Sequence, residues 1–209
     1  MGPPADDRPL ADEALSRLIQ GNQRFLRGEV RSGAFRPELL ADLAKAQRPY
    51  ATILGCSDSR VPPELLFDTG LGELFVVRVA GNSLSPEVAG SLQYAGSYLQ
   101  TPLFVVLGHE GCGAIGAALA TKRGGEQFRS RLQLLLASIV PGLPDLDSQL
   151  SPEEQLSRAV ESNVRWTVRQ VVDSPEGQAR MPEGRMKVVG AVYEMDTGQV
   201  RFLPQDARA

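Results

Sequence analysis

The stretch "PLFVVLGHEGCGAIGAALATKR", residues 102–123, joins an apolar run directly to a segment with helical character. Residues 102–109 form a short, nearly continuous apolar run rich in β-branched side chains. This pattern is typical of a strand that is buried on both faces of a parallel sheet. Residues 112–123 then predict a helix. A strand followed at once by a helix indicates an α/β layered fold.

The chain before and after this stretch repeats the same alternation. Two similar apolar runs stand earlier, "YATILGC" (50–56) and "ELFVVRV" (73–79). A helix is predicted to follow the second of them, because Ser85 can cap its N-terminus and Pro86 suits the first helical position. Further helical segments are predicted near residues 126–139 and 152–173. The sequence therefore predicts a mainly parallel central sheet flanked by helices.

The two ends of the chain complete the predicted architecture. "MKVVGAVYEM" (186–195) and "QVRFL" (199–203) flank a turn signal, which predicts an antiparallel hairpin at the sheet edge. At the other end, apolar residues at helical spacing predict an amphipathic helix over 12–27, and a second short helix is predicted to begin at Pro37. These helices have no strand of their own, so residues 1–48 are predicted to be a helical arm that packs on a partner subunit.

Size and composition limit the classes of protein. With 209 residues, the chain is predicted to form a single domain over residues 1–209. Its net charge is −3, and its 22 Lys and Arg are scattered, so no nucleic-acid partner is expected. The longest apolar runs have about six to eight residues, too few to span a bilayer, and no membrane association is expected. The acidic N-terminus lacks a signal-peptide pattern, which predicts a cytoplasmic location.

Two of the predicted strands end in residue types that bind metals. The first leads into "CSDSR" (56–60), and the third ends in "HEGC" (109–112). The carboxyl ends of parallel strands meet at one edge of a sheet, so the only histidine and both cysteines of the chain are expected there. Two thiolates and one imidazole suit zinc, and three protein ligands leave one position open, as in catalytic sites. Asp58 could then orient a zinc-bound hydroxide, while Arg60 keeps the carboxylate ionised.

Each of these residues also has an ordinary structural explanation. A cysteine at a strand end is often a small buried apolar residue, and Asp58 and Arg60 could form an ion pair that stabilises a turn. A disulfide between Cys56 and Cys112 would account for both cysteines. It would leave His109, Asp58 and Arg60 without a shared purpose. The convergence of all these residues on strand ends favours the metal site.

These residues carry a resemblance to a known family. "GCSDSRVPPELLFDTGLGELFVVRVAGN" (55–82) and "VVLGHEGCGAIGAA" (105–118) resemble the β-class carbonic anhydrases, whose signature is C-x-D-x-R followed by H-x-x-C. The resemblance extends over nearly the whole chain. It implies an enzyme with one Zn²⁺ per chain that interconverts CO₂ and bicarbonate. It also implies a homodimer or higher homo-oligomer, with active sites near the subunit interface.

The resemblance assigns roles by position. The zinc ligands are matched by Cys56, His109 and Cys112, and the catalytic dyad by Asp58 and Arg60. Five residues match substrate-binding positions. Gln47 would hydrogen-bond substrate across the subunit interface, and the N–H of Gly113 would lie near the open zinc position. The apolar CO₂ pocket would be lined by Phe75, Ala80 and Tyr94. Two positions depart from many relatives: Ala80 stands where plant-like members have a larger aliphatic residue, and Glu110 stands where many have serine.

Two other functions remain open from the sequence. The same scaffold could hydrolyse a CO₂-like molecule, carbonyl sulfide or carbon disulfide. The chain could instead be a non-catalytic zinc-binding or redox module in which Cys56 and Cys112 pair reversibly. The Asp58–Arg60 dyad argues against the second alternative, because a structural zinc or a disulfide does not need it.

Overall fold

A five-stranded sheet lies at the centre of the computed structural model, which describes residues 9–31, 37–124, 129, 131–147 and 149–204. The strands are β1 (Ala51–Gly55), β2 (Leu74–Arg78), β3 (Leu103–His109), β4 (Lys187–Tyr193) and β5 (Val200–Phe202). The helices are α1 (Ala11–Leu26), α2 (Pro37–Leu43), α3 (Pro63–Leu66), α4 (Pro86–Ser97), α5 (Gly113–Lys122), α6 (Arg131–Ile139), α7 (Pro152–Val172) and α8 (Pro175–Arg180). Within these described ranges, no helix has the length and apolar character needed to cross a membrane.

The strand order is β2-β1-β3-β4-β5, and every neighbouring pair is parallel except β4 and β5. The predicted fold class, a mainly parallel sheet with helices around it and an antiparallel edge hairpin, is therefore confirmed. The predicted helix over 126–139 begins at Arg131 among the described residues. Residues 126–128 and 130 of that prediction lie outside them, as do residues 1–8 and 32–36 of the predicted arm.

Local sequence signals explain where the helices start. The Ser85 hydroxyl accepts a hydrogen bond from the Val88 N–H at 3.4 Å and Pro86 occupies the first turn, as predicted for α4. Helix α7 begins with a reciprocal pair that the sequence analysis missed. The Ser151 hydroxyl accepts from the Glu154 N–H, and the Glu154 carboxylate accepts from the Ser151 N–H.

Alternate residues of the central strand β3 face two different helix layers. On one face, Val105 belongs to a buried cluster with Leu18 of α1. On the other face, Val106 packs in a cluster with Val164 of α7. Strand β1 is buried at every residue. The core therefore continues through both faces of the sheet and fixes the ends of β1 and β3 relative to each other.

Strand β2 differs from the prediction that it is buried on both faces. Its first four residues are only partly buried and Arg78 is exposed. The reason is its place in the sheet, because β1 is the only strand paired with it among the described residues. An apolar run predicts a strand, but its burial also depends on what lies beyond the edge.

Helix α1 is anchored on its own chain. The side-chain amide of Asn22 donates to the carbonyls of Leu66 and Gly198, both at 3.1 Å, and its oxygen accepts from the Val200 N–H at 2.9 Å. Leu18, on the same helix, is fully buried. The anchored face of α1 is therefore not available to a second subunit. The single domain with an N-terminal arm that packs on a partner stays a prediction.

Replacing Gly21 by alanine should disrupt the packing of α1 against the backbone at Phe67. A Cβ at this position would lie 1.9 Å from the Phe67 carbonyl oxygen and 2.7 Å from its carbon, and backbone atoms cannot move aside cheaply. We expect the free energy of unfolding to fall by about 3 kcal/mol, at the upper end of overpacking effects. Urea unfolding followed by circular dichroism measures this change.

The control is Gly90→Ala in α4, where nothing lies within 4 Å of an added Cβ. Alanine favours a helix over glycine by up to about 1 kcal/mol, so this variant should be at least as stable as the unmodified protein. Equal unfolding midpoints for the two variants would show that α1 does not pack as described.

Candidate metal centre and active site

The two central strands bring the predicted metal ligands together. Cys56 directly follows β1 and His109 is the last residue of β3, and these strands are paired in parallel. Cys112 occupies the N-cap position of α5, three residues further on. The two sulfurs and a ring nitrogen lie within 4.8 Å of one another, and all three residues are buried. The three residues therefore form one Cys–His–Cys group at the carboxyl edge of the sheet.

The orientation of the His109 ring suits a metal ligand. Its Nδ1 donates to the carbonyl oxygen of Glu110 at 2.9 Å, which leaves Nε2 unprotonated in the neutral ring. Nε2 is buried, and nothing in the described part of the chain forms a hydrogen bond with it. A buried polar atom without a partner costs about 1–3 kcal/mol. A metal ion bound at Nε2 would remove this cost, and the carbonyl on Nδ1 is the usual outer partner of a metal-binding histidine.

The two cysteines are free thiols whose sulfurs lie 4.0 Å apart. The hydrogen bond from Cys112 lowers the pKa of Cys56 to about 4, although burial acts in the opposite direction. The same contact, together with burial, raises the pKa of Cys112 above its usual range. The two thiols are thus coupled, and their contact favours one proton held between the two sulfurs. A divalent cation in place of that proton would stabilise both sulfurs as thiolates, as zinc binding requires.

Asp58 and Arg60 form a two-pronged ion pair beside the Cys–His–Cys group. Arg60 Nε donates to Asp58 Oδ1 at 2.9 Å, and Arg60 Nη2 donates to Oδ2 at 2.7 Å. This hydrogen bonding holds the pKa of Asp58 well below its usual range, so the carboxylate is an acceptor at neutral pH. Oδ2 lies 3.9 Å from His109 Nε2, which is close to the ligand group but beyond hydrogen-bond distance. The carboxylate can therefore accept a hydrogen bond from an oxygen held at the metal.

Arg78 is a site residue that the sequence analysis missed. Its Nε donates to the Cys56 carbonyl at 2.9 Å and its Nη2 to the Asp58 carbonyl at 2.5 Å. The side chain at the end of β2 thus fixes the backbone that carries a candidate metal ligand, Cys56, and the carboxylate of Asp58. The available signal was an arginine near the carboxyl end of the apolar run "ELFVVRV" (73–79), at the edge of the sheet where the other strands carry the candidate ligands.

The predicted substrate-binding residues lie in different parts of the chain. Phe75 of β2 and Tyr94 of α4 are close, with ring centroids 6.1 Å apart. Ala80 begins a 3₁₀ turn, Ala80–Asn82, and Gly113 is exposed at the first position of α5. Gln47 is exposed in the loop between α2 and β1. Its predicted contact involves a second subunit, and the substrate-binding roles of all five residues stay predictions.

Glu110 is held away from the ligand atoms by the β4–β5 hairpin. Its Oε2 accepts a hydrogen bond from the Met195 N–H at 3.0 Å, and its own N–H donates to the Tyr193 carbonyl at 3.0 Å. These contacts fix the peptide whose carbonyl binds His109 Nδ1. The residue therefore supports the orientation of the histidine ring.

The fold and the site define an α/β protein with a candidate catalytic metal centre at the carboxyl edge of its sheet. The carbonic anhydrase family model matches residues 51–200. Carbonic anhydrase 2 of Mycobacterium tuberculosis is 37% identical over 190 residues, which is 89% of each chain. The chain belongs to the β-class carbonic anhydrase family, as the sequence predicted.

Two solved structures agree with this assignment. The β-carbonic anhydrase CcaA superimposes with a TM-score of 0.71 at 28% identity, over 89% of this chain and 93% of that one. A β-carbonic anhydrase of Coccomyxa, solved in complex with acetazolamide, gives a TM-score of 0.70 at 29% identity, over 90% of this chain and 86% of that one. The predictions of the family and of the enzyme class are confirmed.

Proposed function

We propose that Cys56, His109 and Cys112 bind one Zn²⁺ per chain, and that the enzyme uses this centre to interconvert CO₂ and bicarbonate. The observation that carries the proposal is the buried His109 Nε2, which has no hydrogen-bond partner among the described residues and lies beside two sulfurs. Zinc bound there would act as a Lewis acid and make a water molecule acidic near neutral pH. The relatives are named carbonic anhydrases, which favours CO₂ over carbonyl sulfide or carbon disulfide as substrate.

The protein's own groups would orient and receive the reactants. Asp58 would accept a hydrogen bond from the attacking oxygen, so that a lone pair of that oxygen faces CO₂. Arg60 would keep the carboxylate ionised and in place through its two hydrogen bonds. Phe75, Ala80 and Tyr94 would provide an apolar surface for CO₂. The N–H of Gly113, at the start of the ten-residue helix α5, would donate to the negative oxygens of bicarbonate.

An oligomer would complete this site. Among the described residues, no strand pairs with the outer edge of β2, and Tyr98, which stacks on Tyr94 with ring centroids 5.3 Å apart, is 70% exposed. Open edges and exposed aromatic residues favour association with a second copy. We infer at least a homodimer, in which Gln47 would reach the substrate of the partner subunit. The cytoplasmic location also stays a prediction.

Removing the metal should abolish CO₂ hydration and restoring zinc should recover it. Purified protein should contain about one zinc per chain, because the three ligands come from the same chain. After dialysis against a chelator, hydration followed by stopped flow with a pH indicator should fall to the uncatalysed rate. One equivalent of zinc should restore it.

The matched control is protein dialysed without chelator and given the same zinc addition, which should keep its original rate throughout. Full activity in protein shown to be free of metal would contradict the proposal. Faster turnover of carbonyl sulfide than of CO₂ by the zinc-loaded protein would contradict the assigned substrate.

A further inference from the structure

A buried turn lies directly behind the sulfur of Cys56. The 3₁₀ turn Ala80–Asn82 contains two residues with left-handed backbone, Gly81 at φ 68° and Asn82 at φ 43°. The N–H of Gly81 donates to Cys56 Sγ at 3.4 Å. A Cβ on residue 81 would lie 2.8 Å from Ile139 Cδ1, so glycine is needed both for the backbone conformation and for the space. The turn therefore places a hydrogen-bond donor on a candidate metal ligand.

Two side chains of α7 hold this turn from the other side. Asn163 Nδ2 donates to the Gly81 carbonyl at 2.9 Å, and Thr167 Oγ1 donates to the Asn82 carbonyl at 3.4 Å. Asn163 and Thr167 are four residues apart, on one face of the helix, and each is only 1% exposed. Two successive carbonyls of the turn are thus fixed by one helix.

Two buried polar atoms beside the turn lack a hydrogen-bond partner among the described residues, which a purely stabilising role does not explain. Asn163 Oδ1 and Asn82 Nδ2 are buried, and neither has a partner in the described part of the chain. Leaving a buried polar group without a partner costs at least as much stability as a neutral hydrogen bond contributes. An apolar residue of similar shape at position 163 would avoid the cost at Oδ1 but would leave the Gly81 carbonyl without this donor, so the amide is best explained by the carbonyl that it holds in place.

We propose that Asn163 is a positioning residue for the metal centre: it holds the Gly81 carbonyl, so that the Gly81 N–H stays directed at the sulfur of Cys56. This inference rests on the proposed metal binding. A hydrogen bond to a thiolate withdraws electron density from the sulfur, which makes the sulfur a weaker donor and the bound metal a stronger Lewis acid. Asn163 acts through the turn and does not touch the substrate.

Cobalt(II) in place of zinc makes the metal–sulfur bond visible, because the thiolate-to-cobalt charge-transfer band reports the electron density on sulfur. In Asn163→Ala, loss of the directed N–H should move this band to longer wavelength relative to unmodified protein. Competition with a chelator should also show a metal affinity about 10-fold or more weaker, because Cys56 loses more by no longer being held in position than its sulfur gains in donor strength; this is the range found for outer partners of metal ligands.

The matched control is Gln155→Ala on the same helix. Gln155 lies two helical turns before Asn163 and is also buried. Its side-chain amide also donates to a backbone carbonyl, that of Leu150, at 2.6 Å. This variant should lose thermal stability and keep the spectrum and the metal affinity. Thr167→Val removes the second hydrogen bond to the turn with little change of shape, and it should shift the band in the same direction by less than Asn163→Ala.

The proposal would be overturned if Asn163→Ala and Thr167→Val both folded and kept the spectrum of the unmodified protein, and Asn163 would then have a structural role only. If Asn163→Ala did not fold, an unchanged spectrum in Thr167→Val would overturn it. A band that moves equally in Gln155→Ala would also overturn it. Unmodified protein that shows no thiolate-to-cobalt band would instead contradict the metal centre itself, which separates the failure of this inference from the failure of the proposed function.

Discussion

An Asp58→Asn protein should retain its zinc and lose CO₂ hydration by about 10²–10⁴-fold, the contribution typical of a positioned acid–base group. The carboxylate accepts two hydrogen bonds from the Arg60 side chain, at 2.9 and 2.7 Å, and remains ionised at neutral pH. An amide is neutral and offers one oxygen, so it cannot accept from Arg60 on both sides and also orient the attacking oxygen. Stopped-flow kinetics and elemental analysis of the same samples measure the rate and the zinc content together.

The control for this prediction is Asp12→Asn. Asp12 also forms an ion pair, with Lys187 Nζ at 2.6 Å, but Lys187 is the first residue of β4 and lies at the opposite edge of the sheet from the ligands. Its loss should leave the rate unchanged, because an exposed ion pair contributes about 1 kcal/mol or less to stability. If Asp58→Asn kept the normal rate, or if it lost zinc in parallel with the rate, the assigned role of Asp58 would be wrong.

A Cys112→Ser protein should bind less than about a tenth of an equivalent of zinc and hydrate CO₂ no faster than buffer alone, since a neutral hydroxyl does not replace a thiolate at this ion. Serine keeps the shape of the side chain, and residue 112 is buried in a cluster with Ile115. The chain should therefore remain folded, which far-ultraviolet circular dichroism checks. This prediction separates the metal from the fold more cleanly than truncation of His109, because losing that larger, fully buried ring would also leave a cavity.

Ile115→Val provides the comparison for Cys112→Ser. It shortens a buried side chain in the same cluster, at an expected cost of about 0.5–1.5 kcal/mol, without touching a ligand. This variant should keep its zinc and its activity. One equivalent of tightly bound zinc in Cys112→Ser would show that Cys112 is not a ligand.

The sequence predicted the parts of the fold that depend on local patterns. The apolar run that became β3 led directly into the turn with His109 and Cys112, and the Ser85–Pro86 signal predicted the start of α4. The metal group was predictable for a related reason. Parallel strands put their carboxyl ends together, so ligands at two strand ends had to meet.

The remaining features depend on contacts between distant parts of the chain. Asn163 and Gly81 are 82 residues apart, and no local pattern marks an asparagine in the middle of α7 as a partner of that turn. Arg78 resembled an ordinary end of a strand, and only the fold places it on the Cys56 carbonyl. The anchoring of α1 by Asn22 was missed for the same reason, because its partners lie 44 to 178 residues away.

The three candidate ligands come from a single chain and lie at the ends of two strands that the core already fixes in register. A newly made subunit therefore has a full set of ligands as soon as its sheet has formed, before it encounters another copy. If the proposed zinc site and oligomer both form, metal uptake would not require assembly, and dissociation of the subunits would not by itself release the ion. Under the proposed function, loading with zinc and completion of the active site by a second subunit would therefore be separate steps.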